Sequence, residues 1–170
     1  MNALRKTIQQ KTLRSFYLNL RRLILLLLFS LLLNAAFSQA KTFVKKFRPL
    51  ADSLSMEYSI PASVMLGVSM VESGSGTSRN CRLLNNYFGI IGKNKLYKTK
   101  GIKTRYKQYD DATDSFVDFC KLIKKRKFYK KLKENKNYKL WIDAISKTNY
   151  SEVPETWKKR VLEAIRKNKL

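Results

Sequence analysis

Apolar residues recur at helical spacing along nearly all of residues 41–170. Between Lys41 and Tyr58, Phe43, Phe47, Leu50 and Leu54 share one face, which predicts an amphipathic helix that Pro49 either kinks or divides. A second helix starts at Ser59-Ile60-Pro61, with proline in the first turn, where its missing N–H does no harm. In that helix Val64, Val68 and Val71 form a stripe while Met65, Leu66 and Met70 fill most of the remaining circumference, so burial on several sides is expected. A short helix is expected from Ser78 to Leu84. Tyr87 to Tyr109 carries the only β-like alternation, around turns near Gly92-Lys93-Asn94 and Thr99-Lys100-Gly101. Asp110 or Asp111 then caps a helix in which Ala112, Phe116, Phe119 and Ile123 recur beside Val117 and Cys120. Tyr138, Trp141, Ile142 and Ile145 give a further inward stripe, and Pro154 opens a last helix with Trp157, Val161 and Ile165 inward. The expected architecture is mainly α with a small β-hairpin lobe, and a cleft where lobe and helical body meet.

The first forty residues follow another pattern. Arg5, Lys6, Lys11, Arg14, Arg21 and Arg22 form a basic region without an acid, Leu23 to Leu33 is apolar, and Asn34 to Ala40 offers small residues. This predicts a secretory signal peptide over 1–40, cleaved after Ser38 or after Ala40, both of which satisfy the small-x-small rule. An uncleaved membrane anchor is the alternative, although the apolar run is shorter than the roughly 20 residues a span wants. No cysteine lies near the cleavage site to take a lipid. The expected mature domain is 41–170, exported to the periplasm or otherwise associated with the cell envelope.

Charge narrows the choice of partners. The chain carries 36 Lys and Arg against 12 Asp and Glu, a formal net charge of +24, and residues 41–170 keep 30 against 12, or +18. Such a surface adheres to polyanions, which here means nucleic acid, an anionic membrane or the acidic polymers of a bacterial cell wall. Export, and the lack of a recognisable nucleic-acid module, argue against the first. A basic solvated surface with no dedicated partner is also open. The chain has no histidine, which removes the usual general base and zinc ligand, and no metal or other cofactor is expected. Its two cysteines, Cys81 and Cys120, either pair, as export permits, or stay as buried thiols.

One carboxylate is out of keeping with its surroundings. Glu72 stands where the apolar helix gives way to Ser73-Gly74-Ser75-Gly76. Desolvation and the negative end of the helix dipole both favour its protonated form. That suits an acid that still holds its proton near neutral pH. A surface Glu at a fraying helix end is the other reading.

Downstream, Asn85-Asn86 lead into Tyr87-Phe88-Gly89-Ile90, a short basic segment follows, and Thr104-Arg105-Tyr106-Lys107-Gln108-Tyr109-Asp110-Asp111 opens another helix. In this order, with Glu72 at a buried helix end, the pieces resemble the bacterial glucosaminidase family of peptidoglycan hydrolases, in the lysozyme-like superfamily, from about Ser59 to about Ile165. The resemblance implies a lysozyme-like α+β fold. It also implies an endo-β-N-acetylglucosaminidase acting on peptidoglycan glycan strands, with Glu72 as the general acid at the β-1,4 bond between N-acetylglucosamine and N-acetylmuramic acid. Tyr150 matches an aromatic that family members place before the last helix and close to the acid. Asn86 matches the family's Asn-Phe-Gly segment, and either orients an acetamido group or caps a turn. Tyr87, Tyr106, Tyr109 and Tyr150 are the candidate sugar platforms, because aromatic rings stack on the apolar faces of pyranosides.

The chain departs from the family pattern in two places. Val153 precedes Pro154 where family members commonly have Asp, and Gly92 to Tyr109 contains no acid where some members place a second catalytic carboxylate. Asp110 and Asp111 read better as helix caps. The second role then falls to the substrate's own 2-acetamido group or to a distant acid. A lytic transglycosylase or muramidase of the same superfamily, and a non-catalytic cell-wall-binding protein, are the alternatives.

Overall fold

The computed structural model describes residues 2–170, with side chains described for 20–27 and 38–170. It comprises helices α1 (Asn2–Tyr58), α2 (Ala62–Ser73), α3 (Arg79–Leu84), α4 (Leu96–Lys100), α5 (Ala112–Lys124), α6 (Tyr129–Leu132), α7 (Tyr138–Ser146) and α8 (Pro154–Lys167). Two compact units divide the chain, Met1–Gln39 and Ala40–Leu170. In the first, Leu23 to Leu27 are exposed. Most of the expected signal peptide, including the rest of its apolar run, lies outside the described side chains. Among the described residues no helix is long and apolar enough to cross a membrane.

The second unit is assembled around α2, in which Val64 to Met70 are all buried. From α1 it receives Phe43, Phe47, Ala51, Leu54 and Tyr58, spaced by three and four residues. Pro49 neither ends nor divides α1; it sits on the exposed face, where the carbonyl it leaves without a partner can be hydrated. Phe116, Phe119 and Ile123 of α5 and Trp141, Ile142 and Ile145 of α7 close two further sides. Helix α8 approaches α2 at Gly67, where an added Cβ would stand 2.5 Å from Cγ1 of Ile165. Glycine is needed there for the two backbones to come that close. The Tyr129 hydroxyl donates to the Tyr58 carbonyl at 2.7 Å and ties α6 to the end of α1.

The β-hairpin lobe expected between Tyr87 and Tyr109 is not present. The segment does fold back on itself, but it pairs only through an isolated antiparallel bridge, Ile91 with Tyr106. Backbone bonds from Lys107 N to Ile90 O and from Gly92 N to Arg105 O flank that bridge, and asparagine side chains add further links. The Asn86 amide donates to Ile90 O and Lys107 O, and the Asn94 amide to Thr104 O and Tyr106 O. Leu96 to Lys100 then coil into one helical turn, stopped by Gly101 in the left-handed conformation. The backbone pairing thus stays confined to the bridge and its flanks, and side-chain-to-backbone bonds hold the rest of the segment.

Asp111 accepts from Asp114 N at 3.0 Å and caps α5. Both cysteines are free and buried; Cys120 Sγ lies 3.3 Å from Met65 Sδ, and Cys81 is next to Tyr87. The disulfide alternative therefore falls to the buried-thiol one.

Candidate active site

The last turn of α2 is fixed by its own serines. Ser73 Oγ donates to Ser69 O at 2.6 Å and accepts from Gly76 N at 2.9 Å, while Gly74, at φ +57°, turns the chain away. Glu72 is thereby held at a defined place and not on a fraying end.

Three elements converge on its carboxyl group. From α8, Trp157 Nε1 donates to Glu72 Oε1 at 2.7 Å. The loop after α3 brings Gly89, whose hypothetical Cβ would be only 3.0 Å from Glu72 Oε2, at φ +66°. Only glycine combines that backbone conformation with room for the second oxygen. From the segment before α8, Tyr150 packs its ring at 5.4 Å from Trp157 and donates its hydroxyl to Phe88 O at 2.7 Å, locking loop and helix together. Phe88 itself is core, stacked on Phe119 at 4.3 Å.

Burial pushes the Glu72 carboxyl above the usual carboxylate range, against the opposing pull of the Trp157 hydrogen bond and the Arg160 charge. An indole N–H can only donate, so Oε1 accepts in either protonation state and the proton of the acid form resides on Oε2. That oxygen faces Gly89. The site thus presents one oriented acid, and among the described residues no second carboxylate bonds to it.

The tyrosines divide. Tyr106 lies beside the site, its Cε1 at 4.0 Å from the Cβ position of Gly89, and Tyr150 is part of it. Tyr87 is elsewhere: its ring packs at 4.9 Å from Phe47 and 5.9 Å from Phe116. Burial, aided by Cys81, raises its hydroxyl to about 12. Tyr109 is buried at 7 % exposure and gives its hydroxyl to Asp118 Oδ2 at 2.8 Å. Of the four candidate sugar platforms, the fold thus brings Tyr106 and Tyr150 beside Glu72 and packs Tyr87 and Tyr109 elsewhere. Asn86 is also fully engaged, since its amide oxygen accepts from Phe88 N and Ile90 N while its nitrogen donates to two carbonyls. Those bonds hold the turn from Asn86 to Ile90. Trp157 and Gly89 were legible only as a core residue and as part of a family segment. A buried tryptophan always needs a partner for its N–H, and that was the available signal.

The domain thus places one half-buried, oriented carboxyl group at the end of its central helix. A family model described as glucosaminidase, mannosyl-glycoprotein endo-beta-N-acetylglucosaminidase, matches residues 48–170. The chain belongs to the glucosaminidase family. Similar solved structures include the catalytic domain of the autolysin Auto from Listeria monocytogenes, at 21% identity and TM-score 0.64, covering 77% of this chain and 85% of that one. The glycoside hydrolase domain of FlgJ from Salmonella typhimurium is 18% identical with TM-score 0.60, over 76% and 88% of the two chains. An N-acetylmuramoyl-L-alanine amidase from Staphylococcus aureus is 25% identical with TM-score 0.63, over 76% of this chain and 41% of the other. No curated protein sequence matches.

Proposed function

We propose that the protein is a peptidoglycan hydrolase of the cell envelope, an endo-β-N-acetylglucosaminidase with Glu72 as general acid. The observation that carries this reading is the Glu72 carboxyl group itself: half-buried, held by Trp157 through one oxygen, and with the other oxygen beside Gly89. An oxocarbenium-like transition state needs a proton on the leaving oxygen, and Oε2 is the atom that delivers it. As the C–O bond breaks, the proton passes to the departing sugar and the charge left on Glu72 is stabilised by the Trp157 N–H. On the opposite side, the 2-acetamido oxygen of the substrate attacks the anomeric carbon and forms a cyclic oxazolinium. Water then opens that ring, giving its proton to the Glu72 carboxylate. Tyr106 and Tyr150 supply the faces against which the pyranosides lie. The excess of positive charge retains the enzyme on its insoluble, anionic substrate.

The test is digestion of purified peptidoglycan by the full chain, with Glu72→Gln in parallel and mass spectrometry of borohydride-reduced products. Fragments ending in reduced N-acetylglucosamine, from the wild type only, support the reading. Reducing or 1,6-anhydro muramic ends replace it with a muramidase or transglycosylase. No cleavage by the folded wild type replaces it with a wall-binding protein. Thiazoline analogues of N-acetylglucosamine are expected to inhibit, and a lack of inhibition at saturating concentration refutes the acetamido step.

A further inference from the structure

Two adjoining depressions run over the exposed side of α5 and the turn into α6. The first, about 330 Å³, is bounded by Ile90, Ile91, Lys107, Lys121, Lys125 and Arg126 among others. The second, about 690 Å³, shares Lys125 and Arg126 with it and extends past Lys127 and Phe128 to Lys147. Tyr106 borders Gly89 and Glu72, whereas its neighbour Lys107 turns to α5 and pairs with Asp118. The depressions therefore lie on the other side of this extended segment from the acid, as alternation along an extended chain requires.

Two carboxylates open onto them, and both are satisfied. Asp118 is held by Lys107 at 2.6 Å, and Asp143 by Lys147 at 2.6 Å and Lys158 at 3.2 Å. Among the described residues no carboxylate lies within ion-pair distance of Lys121, Lys125, Arg126 or Lys127. The run Lys121 to Lys131 contains no acid at all. Between the charges lie Leu122, Phe128 and the exposed Ile91. The result is a concave basic groove with an apolar floor, suited to a short anionic chain with small apolar side groups rather than to a flat surface.

The groove begins at Ile90 and Ile91, the residues immediately after Gly89. Successive Cα atoms are about 3.8 Å apart, and an extended peptide of four or five residues spans roughly 13–18 Å, so a peptide branching from a sugar beside Glu72 reaches the groove. Resting on the function proposed above, we propose that this groove binds the carboxylate-bearing stem peptides of peptidoglycan while the glycan strand passes Glu72. Lys125 and Arg126 take the carboxylates, and Ile91 and Phe128 take the alanyl methyls.

The experiment compares full-length wild type with Lys125→Gln/Arg126→Gln, and with Arg166→Gln/Lys169→Gln as a control of equal charge change. Each is assayed for binding to intact peptidoglycan and to glycan strands stripped of peptides, with folding verified by circular dichroism. Wild type and control are expected to bind the intact polymer about five- to tenfold more tightly than the stripped one, a preference that shrinks at high salt. The groove variant is expected to lose the preference while cutting stripped strands at the wild-type rate. Equal binding of both polymers by the wild type, or a preference retained by the groove variant, overturns the proposal. So does a groove-dependent preference for anionic phosphatidylglycerol vesicles over peptidoglycan, which makes a membrane the occupant. Failure of the wild type to cleave any glycan strikes the proposed function separately, because the binding comparison is read without turnover.

Discussion

Replacing Trp157 by Phe removes the N–H donor together with the pyrrole part of the indole, while the six-membered ring can still pack on Tyr150. The bond lost is a 2.7 Å contact from a neutral donor to the carboxyl group of Glu72. Hydrogen bonds to charged groups contribute about 1.5–3 kcal/mol. The lower end applies to a partly exposed acid, and about 1.4 kcal/mol corresponds to tenfold in proton affinity. The sign follows from which form the donor favours. Trp157 stabilises the carboxylate, so without it the proton is held more tightly. A general acid is active while protonated, and its activity is lost as pH rises through its pKa. The basic limb of kcat/KM on soluble glycan oligomers is therefore expected at higher pH in Trp157→Phe than in wild type. The plateau is expected to fall about tenfold, from poorer orientation of Oε2. A basic limb that stays in place, or moves to lower pH, refutes the assignment of Glu72 as the titrating acid. The variant should remain folded, with a melting cost of about 1–2 kcal/mol for the lost ring volume.

Burial raises the Glu72 pKa in the folded state, so its contribution to stability is present below the unfolded value and is lost as pH rises through the folded one. Glu72→Gln, which does not titrate, is expected to gain stability over wild type progressively between acid and neutral pH; melting curves in which the gap stays constant or narrows contradict this. Gly89→Ala places a methyl 3.0 Å from Oε2 on a backbone at φ +66°. It is expected to cost about 1–2 kcal/mol of stability from the left-handed backbone. Turnover is expected to fall up to about a hundredfold, by displacement of the acid, and a variant with wild-type turnover contradicts the crowding at that oxygen. Gly67→Ala drives a Cβ to 2.5 Å from Ile165 Cγ1 and forces α8 from α2. A loss of about 1–3 kcal/mol by denaturant titration is expected, and no loss means that the helices can separate freely.

Much of this molecule was legible because its signals are periodic. The stripes of α2, α5, α7 and α8 fixed both the helices and their buried faces, and the conflict between an apolar helix and a terminal Glu72 singled out that carboxylate as the candidate acid. The hairpin was misjudged because alternation between Tyr87 and Tyr109 resembles a strand pattern whether or not a ladder forms. The pairing stops at one bridge, Leu96 to Lys100 turn helical, and the Asn86 and Asn94 amides make the remaining links, none of which a one-dimensional pattern carries. The tyrosines could not be sorted by position for a related reason. A ring that stacks on a sugar and a ring that packs on Phe47 have the same composition, and only neighbours distant in sequence separate Tyr106 and Tyr150 from Tyr87 and Tyr109. The second duty of Trp157 was hidden by its place on a helical stripe, which accounted for its burial but not for its N–H.

Glu72 and Trp157 are 85 residues apart in the chain. A ribosome therefore finishes the helix bearing the acid long before it makes the indole that orients it, and nascent or truncated chains lacking α8 hold an acid that nothing aims. For a protein whose proposed substrate is the wall that keeps a bacterium intact, the candidate acid is thus oriented only after α8 has been made and has packed against α2.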